Sequence, residues 1–157
     1  MKSASEMICF QEVPDEVCLS LSISKCPFRC EGCHSPWLRT DCGRELDIVL
    51  VPLLKKYKDL ISCVLFMGGD DLAQIEELKN WLIICRQYGF KTALYSGHNS
   101  KEHLQDIEHL IDYVKIGEYR QDLGGLKNPT TNQRLYRNTY KGWKDITYKF
   151  WTSDIIK

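Results

Sequence analysis

Three cysteines, Cys26, Cys30 and Cys33, stand within eight residues, directly behind a segment whose apolar residues alternate. Val17, Leu19, Leu21 and Ile23 share one side of that segment, and small or polar residues share the other. This is the period of a strand with one face on a core. The chain then reads Cys-Pro-Phe-Arg-Cys-Glu-Gly-Cys-His-Ser-Pro over residues 26–36. Spacers of three and two residues force the thiolates round one centre. Gly32 lets the backbone turn tightly there and keeps room for a ligand. Lys25 and Arg29 favour the thiolate forms, because nearby cations lower a thiol pKa.

Two metal centres suit such a loop. A [4Fe–4S] cluster is normally held by four cysteine thiolates. A loop that offers three leaves one iron open, and an open position separates catalytic metal sites from closed structural ones. The alternative is a structural zinc ion on the three cysteines and a fourth ligand. Cys33 and His34 are adjacent and poorly placed to share one ion, which leaves Cys42 or Cys9 for that task. Cys18, Cys63 and Cys85 lie in apolar periodic segments and read as small buried hydrophobes. Eight cysteines without a signal peptide point to a reducing, cytoplasmic setting and to metal or redox chemistry in place of disulfides.

The rest of the chain alternates strands with helices. Leu46 to Tyr57 has helical spacing, with Pro52 near the start or at a kink. Ser62 to Met67 is a continuous apolar run ending in Gly68-Gly69, as in a strand buried on both faces. Leu72 to Tyr88 is an amphipathic helix stopped by Gly89. Lys91 to Tyr95 is a strand closed by Ser96-Gly97. Asn99 and Glu102 form a capping box that opens a helix to about Ile111. Tyr113 to Ile116 is a fourth strand, Gly117 to Gly142 a long loop, and Asp145 to Trp151 a further strand.

This order predicts an α/β fold with a mainly parallel sheet, in one domain over residues 1–157 with a loop-rich segment from about 117. A complete eight-stranded barrel needs roughly 250 residues, so three or four βα units make an open partial barrel. Right-handed crossovers put the loops behind the strands on one edge. The cysteines, Gly68-Gly69-Asp70 and Tyr95-Ser96-Gly97 therefore converge on one rim, where such folds keep their chemistry.

Charge narrows the choice of partner. Lys plus Arg equals Asp plus Glu at 21 each, so net charge is zero, which argues against nucleic acid. Residues 1–112 carry −5 and residues 113–157 carry +5. The basic third is either a solvated face or a docking surface for an acidic partner. No run of about 18 apolar residues is present, so no membrane span is expected.

The Cys-x3-Cys-x2-Cys loop behind the first strand resembles the signature of the radical S-adenosylmethionine family. Met67-Gly68-Gly69-Asp70-Asp71-Leu72 resembles that family's Gly-Gly-Glu-Pro strand end, with Asp for Glu and no Pro. Within the family, three segments are similar to the subgroup that activates anaerobic ribonucleoside-triphosphate reductase. They are Cys30 to Pro36 with Gly32 before the third cysteine, Tyr95-Ser96-Gly97, and Asn128 to Arg134. Lys115-Ile116-Gly117-Glu118 departs from it, since many members have Asp-Gly there.

The resemblance implies a radical S-adenosylmethionine type of fold. It also implies a [4Fe–4S] cluster on Cys26, Cys30 and Cys33, with S-adenosylmethionine on the fourth iron. Gly32, Cys33, His34, Gly68, Gly69, Asp70 and Ser96 would contact that cofactor. Asp70 would take its ammonium group, backbone near Gly32 and His34 its adenine, and Ser96 its ribose. Asp70 or Asp71 equally suits a helix cap, and Ser96-Gly97 a strand-end turn. The implied activity is generation of a 5′-deoxyadenosyl radical that makes a glycyl radical on the reductase large subunit, with an electron donor such as flavodoxin. Another radical target, or a zinc-stabilised binding module without catalysis, is the alternative.

Overall fold

A computed structural model describes residues 1–152. Its strands are β1 (Lys2–Cys9), β2 (Cys18–Ile23), β3 (Arg44–Glu45), β4 (Cys63–Met67), β5 (Lys91–Tyr95), β6 (Tyr113–Ile116), β7 (Arg134–Thr139) and β8 (Gly142–Asp145). All eight form one sheet, in the order β3-β1-β2-β4-β5-β6-β7-β8. The four inner strands β2, β4, β5 and β6 are parallel, with Leu21 beside Phe66 and Phe66 beside Leu94. The outer strands pair antiparallel. The sheet is therefore mixed, not mainly parallel, and open, with β3 and β8 at its edges.

Helices α1 (Leu46–Lys56) and α2 (Ile75–Gln87) cover one face of the sheet. Leu46, Leu50 and Leu54 of α1 and Leu78, Leu82 and Cys85 of α2 pack with Leu19, Leu21, Phe66 and Leu94. The other face carries Cys18, Cys63, Leu65, Ala93 and Leu135, closed over by Val13, Leu126 and Ile146 from connecting segments. β4 has apolar residues on both faces and is buried on both, as its continuous pattern predicts.

Several expectations need correction. β1 is half polar, with its apolar residues Ala4, Met7, Ile8 and Cys9 not alternating, so periodicity does not reveal it; its antiparallel ladder with β2 holds it. All of β7 lies inside the predicted loop, and only its Leu135 is fully buried. Asp145 to Trp151 is no strand: Thr147–Phe150 is a 3₁₀ turn. The capping box does not form, because the Asn99 side-chain Oδ1 accepts from the Glu118 N–H at 3.3 Å. The chain makes two 3₁₀ turns instead, Glu102–Leu104 and Glu108–Leu110. α2 starts at Ile75, because Asp71 folds back onto the Ala73 N–H and leaves Leu72 exposed. Pro52 sits inside α1 and withholds a donor from the Ile48 carbonyl. Ile48 faces solvent, so water can serve that oxygen.

The amino edge of the sheet is held by a buried carboxylate. Glu16 accepts hydrogen bonds from the Tyr113 hydroxyl at 2.7 Å and from the Ser62 hydroxyl, and pairs with the Lys91 ammonium. Burial pushes its pKa up, but the three donors outweigh this and leave it below the ordinary carboxylate value. A carboxyl that ionises more readily folded than unfolded stabilises fully above its unfolded pKa and loses that effect as pH falls through the folded one. Glu16→Ala should therefore cost about 2–3 kcal/mol at pH 7, the range for bonds to charged groups. The deficit should shrink as pH falls below about 4.5, checked by urea unfolding at both pH values.

Candidate cluster and cofactor site

Because β2, β4, β5 and β6 run parallel, the segments behind them share one edge. The cysteine loop follows β2, Gly68-Gly69-Asp70 follows β4, Ser96-Gly97-His98 follows β5 and Gly117-Glu118-Tyr119 follows β6. The convergence expected from the sequence is thus realised, with a fourth segment added.

The cysteine loop has no regular structure and is fastened by its backbone. The Cys26 N–H donates to the Leu38 carbonyl at 2.9 Å, and the Cys33 N–H to the Cys30 carbonyl at 3.3 Å. Arg39, at the end of the 3₁₀ turn Pro36–Arg39, donates to the carbonyls of Phe28 at 3.1 Å and Cys30 at 3.3 Å. One guanidinium thereby fixes the chain on both sides of Arg29 and leaves the thiols free. Phe28 packs against Gly97 and meets the His98 ring edge-on at 5.0 Å, which joins the loop to the end of β5.

Cys26, Cys30 and Cys33 are free thiols, all half-buried. Burial, followed by the charges of Cys30, Cys33 and Asp70, pushes the Cys26 thiol up, against the Phe28 N–H. The three sulfurs are thus near enough to repel when ionised. They are not gathered within 4.8 Å of one another, as Asp70, His98 and His103 are. A zinc ion with Zn–S bonds near 2.3 Å would draw its thiolates to about 3.8 Å apart. Thiolates bound to three different irons of a cube stand wider, so the donor set fits a cluster better than one ion. Cys9 faces Cys18 at the amino end of β2, on the opposite edge, and is no fourth ligand. The Cys42 thiol turns to the Trp37 carbonyl at 3.8 Å.

Gly68 and Gly69 both have positive φ, +97° and +91°. A Cβ on either would meet Ile23, and on Gly69 also Met1. The pair thus serves the sharp turn out of β4 and the close fit on β2. Asp70 follows with only 3% of its surface exposed. Its Oδ2 lies 2.8 Å from His103 Nε2. Burial raises its pKa, but bonds from His103 and Ser96 and the charges of His103 and His98 carry it below the ordinary value. It therefore stays a carboxylate. Ser96 is fully buried; besides Asp70, its hydroxyl serves the His98 N–H at 3.0 Å. Gly32, at φ +69°, faces Gln121, and exposed His34 lies 5.0 Å from the Tyr119 ring. The segment behind β6 thus reaches over the cysteine loop.

Sequence reasoning passed over Lys115. It sits in the middle of β6 with 8% exposure, and its ammonium donates to the carbonyls of Ser96 at 2.9 Å and Gly117 at 3.1 Å. Burial lowers its pKa to about 8, partly opposed by Asp70, Cys30 and Cys26. It is a buried cation within electrostatic reach of Cys26 and Cys30. A lysine inside Tyr-Val-Lys-Ile, a short apolar strand, was the available signal. Two clefts flank the site. One of about 590 Å³ is lined by Arg29, Cys30, Glu31, Glu118 and Gln121. The other, of about 790 Å³, is lined by His34, Tyr95, Lys115 and Gln133. Both fall in the usual range for small-molecule sites.

Residues 16–137, which hold all four of these segments, match the family model described as the 4Fe-4S single cluster domain. The chain belongs to this family. The description of that family names a single [4Fe–4S] cluster, for which Cys26, Cys30 and Cys33 are the candidate ligands. The pyruvate formate-lyase-activating enzyme of Clostridium pasteurianum is 30% identical over 139 residues, covering 83% of this chain. The match takes in 58% of that protein's length. No solved structure matches the chain significantly. No helix among the described residues is long and apolar enough to cross a membrane.

Proposed function

We propose that this chain is a radical S-adenosylmethionine activase, with a partial-barrel fold of that type, whose partner is the large subunit of anaerobic ribonucleoside-triphosphate reductase. The observation that carries this reading is the meeting of three half-buried cysteines, in a family of single [4Fe–4S] clusters, with a buried carboxylate behind the next strand. When bound, the cluster supplies one electron that splits S-adenosylmethionine into methionine and a 5′-deoxyadenosyl radical. The residues of the chain bind and orient. Asp70, held ionised, accepts a charge-assisted hydrogen bond from the cofactor's ammonium group. Ser96 sets the Asp70 carboxylate and, in this reading, serves the ribose. Gly68 and Gly69 shape the turn that presents Asp70. Backbone at Gly32, Cys33 and His34 meets the adenine. Lys115 offsets the negative charge of the thiolates. The open cleft between the cysteine loop and Glu118 to Asp122 admits a glycine-bearing segment of a large partner.

A second reading keeps the chemistry and changes the target to a formate-lyase-type glycyl enzyme; the name of the Clostridium pasteurianum relative favours it. The deciding experiment reduces anaerobically reconstituted protein in the presence of S-adenosylmethionine and either partner. Methionine and 5′-deoxyadenosine should form, with a glycyl doublet in the electron paramagnetic resonance spectrum of the reductase mixture. A doublet only with the formate-lyase enzyme would select the second reading, and no cleavage at all would overturn both. Asp70→Asn should raise the KM for S-adenosylmethionine about 10-fold or more, the scale of one bond between charged groups. Its iron content should stay at the wild-type level.

A further inference from the structure

Beside the cysteine loop lies a second set of metal-ligating side chains. Asp70 comes from the end of β4, His98 from the turn behind β5 and His103 from the 3₁₀ turn Glu102–Leu104. One donor atom of each lies within 4.8 Å of the other two. His103 Nε2 is 2.8 Å from Asp70 Oδ2, and the two imidazole rings lie 3.9 Å apart between centroids. His98 Nε2 is buried and has no hydrogen-bond partner among the described residues. A buried polar atom without a partner is unfavourable, and the large majority of such atoms in folded proteins are satisfied. Phe28 meets one edge of the His98 ring. Nothing in the cysteine ligation of a cluster explains why two histidines converge on one buried carboxylate.

We propose that Asp70, His98 and His103 form a second site, for a divalent first-row transition ion with Zn²⁺ as its reference probe, which shares Asp70 with the proposed cofactor site and fills only while S-adenosylmethionine is absent. Two imidazoles and a carboxylate are a donor set that such ions take, and three protein ligands leave coordination positions open. The ion takes the place of the hydrogen bond between His103 and Asp70 and engages the His98 imidazole. The three ligands come from separate segments, so the ion also ties the turn behind β5 to the end of β4.

The test uses protein whose [4Fe–4S] cluster is already loaded, so that the cluster thiolates are occupied. S-adenosylmethionine is left out, which makes the outcome independent of the proposed activity. Zn²⁺ titrated against a chelator of known affinity should bind at one equivalent per chain. His98→Gln and His103→Gln should each weaken binding at least about 10-fold, the loss typical of damaged metal sites. Iron content and far-ultraviolet circular dichroism should match the unaltered protein. Co²⁺ added to the unaltered holoprotein supplies a check that needs no variant: ligand-field bands should appear without a thiolate charge-transfer band. Zn²⁺ binding equal in the unaltered protein and the double variant, or a thiolate band from Co²⁺, would overturn the site.

Discussion

Cys30→Ala protein, reconstituted with iron and sulfide without oxygen, should hold less than about a tenth of the cluster found in the unaltered chain, because two thiolates remain for a cube that is normally ligated by four. Cleavage of S-adenosylmethionine should fall to the background of the protein-free mixture. The fold should survive. Cys30 is half-buried, and its backbone carbonyl, which the substitution leaves in place, is what Arg39 holds. Changes at such positions usually stay within about 0.5 kcal/mol. Cys85→Ala is the control. Its thiol sits on the inner face of α2, where burial pushes its pKa to about 12. That makes it inert as a ligand, and its loss should cost stability of about 1 kcal/mol as a small cavity, with full cluster content. Iron and sulfide per chain, together with thermal unfolding, separate the two outcomes. Equal loss of cluster in folded Cys85→Ala protein would remove Cys30 from its special position.

The contrast between Cys30 and Cys85 was legible before any coordinates, because one lies in a polar loop and the other in an apolar helical period. The four parallel strands were legible for the same reason. Each ends at glycine or serine; β4 is a continuous apolar run buried on both faces, and β2 shows the alternation of a strand. The antiparallel flanks were not. β1 is held by ladder hydrogen bonds and a Ser5–Ser22 hydroxyl pair, which leave no apolar period to count. Asn99 looked like a cap because its contact with Glu118 spans 19 residues, beyond any local pattern. Asp70 was legible as a candidate from the resemblance of Met67 to Leu72 to a glycine-rich strand end, and the structure shows it as a buried carboxylate. His103 lies within the segment whose pattern predicts a helix; the 3₁₀ turn that forms there instead brings it to Asp70 at the rim. The loop contacts of Phe28 were equally invisible, since they depend on how closely two strand ends approach.

That approach leads to the second large effect. Gly97→Ala should lower cluster content by about 5- to 100-fold, although Gly97 carries no donor atom. Its backbone φ is not positive, so conformation alone would admit alanine. Space would not: a Cβ there would lie 2.6 Å from Phe28 Cδ2 and 2.8 Å from Cγ and Cε2. Those atoms belong to the body of the ring, which cannot swing aside as the end of a flexible chain can. The His98 ring stands 5.0 Å away on another side, and Arg39 holds the Phe28 carbonyl. The displacement therefore passes into the backbone between Cys26 and Cys30. Overpacking of this kind costs about 1–3 kcal/mol, and here it falls on the geometry that the cluster requires. Phe28→Ala combined with Gly97→Ala should recover most of the cluster, because Phe28→Ala removes the ring that the new Cβ at position 97 would strike. Such a rescue is a coupling between residues in contact. Iron per chain in the two single variants and the double variant measures it. Cluster content in Gly97→Ala protein equal to that of the unaltered chain would mean that the ring yields freely and that β5 does not position the cysteine loop.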